Sequence, residues 1–268
     1  SPLIFTLLLG MMFLQACATV PSAQSKIEET DDLSAVVNDA QAMARVYGKD
    51  QVLVVFDIDN TLLAMEQDLG SDQWYDWQKE LQSEDPCNGM LVSNRLAVQG
   101  ALYFASAMRP TQPDAAEQVR KLQDAGLTVI ALTSRGSDFR LQTFRELRRN
   151  GISLWSSALP PRHGYANTFI PEGGSRPALY EDGVFLTAGQ HKGDMLKALL
   201  QKTGTEAPAV VVFADDKKHN LEAVLETYQD SGTAIHAWRY NREDPVVAAF
   251  DPEEVTEQWR ALRPALQT

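Results

Sequence analysis

Four apolar runs constrain this chain more than anything else in it: QVLVVF (51–56), LTVIAL (127–132), PAVVVFA (208–214) and TAIHAWRY (233–240). Runs without polar alternation fit strands covered on both faces, as in a parallel sheet. The stretches between them carry helical spacing, so the pattern predicts βαβ units and an α/β, doubly wound, mostly parallel sheet. At 268 residues the chain has room for one large domain, or for a core with an inserted cap.

Helices are expected over Leu33–Tyr47 with Gly48 as its stop, and over DAAEQVRKLQDAG, opened by Thr111 and Pro113 and closed at Gly126. SDFRLQTFRELRRNG is expected to be capped by Ser137 and closed by Gly151. Residues 62–108 read as helical throughout, with Ser71 capping DQWYDWQKELQ, which makes about 62–110 a helical cap insertion after the first strand. A second insertion is expected over about 152–188. It holds the Pro- and Gly-rich stretch 156–178 and a hairpin around Asp182-Gly183. Asp251-Pro252-Glu253-Glu254 reads as a capping box for the last helix.

Three of the apolar runs end in polar residues: Asp57 and Asp59, Thr133 and Ser134, Asp215 and Asp216. Ligands of open α/β sheets bind at the carboxyl ends of the strands, near a switch in strand order. The convergence of three such ends marks one candidate site. The net charge of −12 opposes nucleic acid as a partner. It leaves a small phosphorylated substrate open, because one metal ion and one Lys can invert the local charge. With two cysteines, and His163, His191, His219 and His236 lacking ligand spacing, a zinc site is not expected.

Leu3–Leu14 is apolar but too short for a comfortable membrane span, and it fits the apolar part of a secretory signal. It runs into Leu14-Gln15-Ala16-Cys17, which resembles a bacterial lipobox. The expectation is a signal over 1–16, lipid on Cys17, a tether over 17–32 and a domain over 33–268. The anchor would hold the domain at the periplasmic face of the envelope. With Ala18 after the Cys, the outer membrane is favoured over the inner. Cys87 is then a lone thiol.

Asp57-Ile-Asp-Asn-Thr61 resembles the D-x-D-x-T motif of the haloacid dehalogenase (HAD) superfamily. VIALT ending at Thr133, Lys192 in HKGDML, and VVVFADD ending at Asp215 and Asp216 resemble its other three motifs, in the same order. FDIDNTLL, SDQWYDW, LTSRG and LYEDGVFLTAGQHKG are similar to a bacterial group of exported HAD-like proteins known mainly as a domain of unknown function.

A carboxylate can attack phosphorus and divide one difficult step into two, and a second can serve as general acid and base. The resemblance gives these roles to Asp57 and Asp59. It implies Mg²⁺ held by Asp57, the backbone carbonyl of Asp59, and Asp215, with Asp216 ligating through water or holding Lys192. Lys192 would supply fixed positive charge. Thr133, Ser134 and nearby backbone N–H groups would hold the phosphoryl oxygens, Asn60 would orient the loop, and Asn220 would brace the acidic turn. An acid at Asp59 resembles phosphatases and phosphomutases rather than dehalogenases or ion pumps.

The reading is therefore a Mg²⁺-dependent phosphomonoester hydrolase. Its rivals are a catalytically silent lipoprotein that binds a ligand or envelope partner, and a phosphotransferase or mutase. Trp74 and Trp77, at i and i+3, either pack inside the cap or form an aromatic wall for the leaving group. Arg135, Arg162, His163 and Arg176 are expected to be solvated rather than to touch substrate.

Overall fold

The computed structural model describes residues 22–266. Among these, seven strands form one sheet in the order β1-β9-β8-β2-β5-β7-β6. They are β1 (Lys26–Thr30), β2 (Val52–Phe56), β5 (Thr128–Thr133), β6 (Leu179–Glu181), β7 (Val184–Leu186), β8 (Val210–Asp215) and β9 (Ala234–Tyr240). All neighbours run parallel except β6, which is antiparallel to β7. The chain leaves central β2 toward β5 and β7, then returns to its other side through β8 and β9, so the strand order switches at β2. This is the doubly wound α/β architecture expected from the apolar runs.

Strand parity decides the two cores. Val52, Val54, Phe56, Val129, Ala131, Val210, Val212 and Ala214 pack into one cluster with α1 (Leu33–Tyr47), α4 (Ala115–Asp124) and α5 (Arg140–Arg149). Leu53, Val55, Ile130, Leu132, Val211 and Phe213 pack into the other, with α6 (Lys192–Thr203) and α7 (Lys218–Tyr228). Val54 faces Val129 on one side and Val212 on the other, so every residue of β2 is covered on both faces.

The segment expected to be wholly helical is mixed. β3 (Leu63–Met65) and β4 (Met108–Pro110) pair as an antiparallel ribbon, and between them lie α2 (Asp72–Glu84) and α3 (Arg95–Ala105). Three consecutive buried residues fit a strand as well as a helix, and here the cross-strand partner decided. Ser71 caps α2 as expected, accepting from the Trp74 N–H. A third apolar cluster, with Leu69, Trp74, Val92 and Leu102, joins these helices to Val255 of α9 (Pro252–Leu262). Asp251 caps α9, accepting from the N–H groups of Glu253 and Glu254.

Other boundaries move. The expected tether over 17–32 overlaps β1, so the folded domain starts earlier than residue 33. KIEET is short, charged and largely exposed, the composition of a protected edge strand rather than a core one. Ser137 opens a 3₁₀ turn over Ser137–Phe139 before α5 and does not cap it. The hairpin of β6 and β7 turns at Asp182 and Gly183, both at positive φ (44° and 81°), as a two-residue type I′ turn requires. A short α8 (Asp244–Ala248) had no periodicity to announce it. The signal segment and Cys17 lie outside the described residues. Among the described residues no helix is long and apolar enough to cross a membrane.

Candidate active site

Parity carries directly into the site. Leu53 and Val55 face α6 and α7, and so do Val211 and Phe213. Continuing each alternation by two brings Asp57 and Asp215 to that side, at the carboxyl edge. The Asp57 N–H donates to the Ala214 carbonyl at 2.9 Å, so the two strand ends remain in register. Lys192, the first residue of α6, is 2% exposed. Its Nζ lies 2.8 Å from Asp57 Oδ1 and 2.6 Å from Asp215 Oδ2, and it donates to the Leu132 carbonyl at 3.3 Å. Gly193 makes the seat possible: a Cβ there would stand 2.2 Å from Thr227 Oγ1 and 2.5 Å from the Ala223 carbonyl, so only glycine lets α6 approach α7 this closely.

Asp57, Asp215 and Asp216 each offer a carboxylate oxygen within 4.8 Å of the others. Burial, together with the charges of Asp215 and Asp59, raises the Asp57 carboxyl to about 7 against the opposing pull of Lys192. Asp216 is pushed well above its ordinary value by burial and by Asp215. Its Oδ1 is buried without a hydrogen-bond partner. Asp215 is braced as expected: Asn220 Nδ2 donates to Oδ1 at 2.9 Å and to Oδ2 at 3.2 Å, and the Lys217 N–H donates to Oδ1 at 2.9 Å. The expectation that Asp216 holds Lys192 is corrected, because Asp57 and Asp215 hold it.

Asp59 differs from Asp57. Its side chain is not one of the three gathered carboxylates, in keeping with a residue expected to offer only its backbone carbonyl to the metal. Both of its oxygens are taken: Oδ2 accepts from Arg135 Nε at 2.9 Å, and Oδ1 accepts from Arg135 Nη2 and Tyr103 Oη, each at 2.7 Å. Burial would raise the Asp59 carboxyl, but the Arg135 charge and these bonds hold it below the usual carboxylate range. Arg135, expected to be solvated, is 6% exposed. The positive charge could be buried because a bidentate carboxylate meets it.

Asn60 sits in the left-handed region (φ 56°), and its N–H donates to the Leu63 carbonyl at 2.8 Å, so it does shape the turn that carries Asp59. Thr133 is buried and its Oγ1 accepts from the Arg135 N–H at 3.2 Å, while Ser134 is exposed at the same strand end. Trp74 is 1% exposed, packed in the third cluster, and Trp77 meets the Phe250 ring at 5.7 Å. Trp74 therefore takes the packing role, while Trp77 is half-buried against Phe250, just ahead of α9. Arg162, His163 and Arg176 are exposed as expected, with Arg176 donating to the Gly189 carbonyl. Cys87 is an exposed free thiol.

Sequence reasoning missed Tyr103, and it missed Lys217, whose Nζ lies 2.6 Å from both Asp72 and Asp76 of α2. No spacing rule connects residues so far apart. Only the position of Arg135, two residues beyond Thr133 in LTSRG, carried a signal. A surface groove of about 990 Å³ between α2, α3 and the start of α5 includes Tyr75, Leu96, Phe104 and Leu141 but none of the clustered acids.

The model of a family described as "Protein of unknown function (DUF2608)" matches residues 26–268. No curated protein matches the chain.

Proposed function

The chain belongs to the DUF2608 family, whose description names no activity, and from the site we propose that it is a Mg²⁺-dependent phosphomonoester hydrolase of the HAD type. The observation that carries this reading is the buried Asp57–Lys192–Asp215 chain beside the unpartnered Asp216 Oδ1. Buried charges are costly unless paired or bound to metal. Here three carboxylates gather and only two of them meet the one lysine, leaving negative charge for a cation.

The residues fit a hard divalent cation, with all-oxygen donors on two strand ends and one of those oxygens lacking any other partner. Asp57, Asp215 and Asp216 would hold it, and bound there it would offset the repulsion between the attacking carboxylate and the phosphate. The chain's own residues do the rest. An Asp57 oxygen attacks phosphorus while the bond from phosphorus to the ester oxygen breaks, and the departing oxygen takes a proton from Asp59. A water then attacks the aspartyl-phosphate, giving its proton to Asp59. The Asp57–phosphorus bond breaks, and inorganic phosphate and the free carboxylate result. Lys192 neutralises Asp57 and its phosphoryl group. Asp59 is held ionised here, the form needed to activate water, and a phosphate entering beside it raises its proton affinity for the first step.

The test is release of phosphate from a panel of phosphomonoesters. Turnover should need Mg²⁺, stop with EDTA, and be lost in Asp57→Asn; activity that survives both treatments sinks the proposal. A lipid anchor on Cys17 at the periplasmic face belongs to the same reading and rests on LQAC (14–17). Metabolic labelling with a fatty acid should mark the wild type and not Cys17→Ala, and equal labelling of both rejects the anchor.

A further inference from the structure

Asp59 is gripped from two sides, by Arg135 and by Tyr103. Arg135 spends its donors on fixed partners: Nε and Nη2 on Asp59, Nη1 on Thr143 Oγ1 at 2.8 Å, with Met108 Sδ 3.1 Å from Nη2. Thr143 in turn donates to the Phe139 carbonyl at 2.6 Å. The guanidinium lies 4.5 Å from the centre of the Tyr103 ring, and that ring stands edge-on to Phe139 at 5.7 Å. Arg135 is thus held by β4, α5 and α3 at once, with four of its five N–H donors directed at Asp59, Thr143 and Met108. Tyr103 comes from α3, within the inserted segment, yet makes one of the three hydrogen bonds on Asp59.

We infer that Arg135 and Tyr103 are positioning residues that set the orientation of the Asp59 carboxylate, so that the inserted helix α3 takes part in proton transfer and does not merely cover the site. This rests on the proposed reaction, in which Asp59 moves protons. A bidentate fork defines the plane of a carboxylate, which a lysine's point charge cannot do. Proton transfer depends on hydrogen-bond geometry to the leaving oxygen, so a turned carboxylate loses rate rather than binding.

The test compares wild type, Arg135→Lys and Tyr103→Phe on two esters. One has an aryl leaving group that departs without a proton, and the other an alkyl leaving group that needs one. Arg135→Lys should lower kcat for the alkyl ester at least about tenfold more than for the aryl ester, with KM changed less than about twofold. Tyr103→Phe should show the same selectivity at smaller size. Equal losses on both esters, or a change confined to KM, overturn the inference. If the wild type hydrolyses neither ester with Mg²⁺, the phosphatase reading fails by itself. Crystal structures of the two variants then decide the positioning claim: an Asp59 carboxylate turned away while Asp57, Lys192 and Asp215 superpose supports it, and an unmoved one overturns it.

Discussion

At the scale of single residues, the site is a problem in burying charge. Lys192 keeps Asp57 and Asp215 tolerable, and removing one partner of such a group costs about 3–5 kcal/mol. Lys192→Met should therefore lose activity and also lower the midpoint of thermal or urea unfolding. A variant as stable as wild type would mean that Asp57 and Asp215 are relieved some other way. Asp57 stands at about 7 because burial and its acidic neighbours outweigh Lys192. A cation must displace that proton, so apparent Mg²⁺ affinity should weaken as pH falls from 8 to 6. Calorimetry should find protons released on binding at the lower pH. Equal affinity at both, with no proton release, contradicts the assignment of Asp57 as a ligand. The residues at strand ends were legible because β parity and the carboxyl-edge rule apply to local sequence. Tyr103 and the burial of Arg135 were not, because both depend on how α3 and β4 return to the core.

At the scale of elements, the strands with continuous apolar character and the capped helices were readable. Those whose identity depends on a partner were not. Leu63–Met65 is a strand because Met108–Pro110 lies beside it, and Lys26–Thr30 because β9 offers an edge. Glu146 shows how such returns are fastened. Buried in α5, it accepts from the Met108 N–H at 2.8 Å and pairs with Arg145 and Arg149. Burial would raise its pKa, but these partners hold it below the ordinary 4.5. Its stabilising contribution is therefore complete above pH 4.5 and lost as pH falls through the lower folded value. Glu146→Gln should lower stability at pH 7 by about 1–3 kcal/mol, with the gap to wild type narrowing under acid. Unfolding curves at pH 7 and pH 3 measure this, and a gap that widens in acid contradicts it.

At the scale of the molecule, three cations near the carboxyl edge of the sheet, Lys192, Arg135 and Lys217, each tie down acids of the site or of the inserted segment. Lys217 joins the turn after β8 to Asp72 and Asp76 of α2, as Arg135 joins Asp59 to Tyr103 of α3. Lys217→Ala should raise hydrogen exchange in α2 while the central strands stay protected. Unchanged exchange in α2 would show that its apolar cluster with α9 suffices. The proposed reaction passes through covalent phosphorylation of Asp57. The direct measurement is acid quenching during turnover of a radiolabelled phosphomonoester with Mg²⁺, followed by peptide mapping. Label is expected on the peptide containing Asp57, absent with EDTA and in Asp57→Asn. Steady hydrolysis with no label at Asp57, or label on another residue, would contradict the proposed reaction.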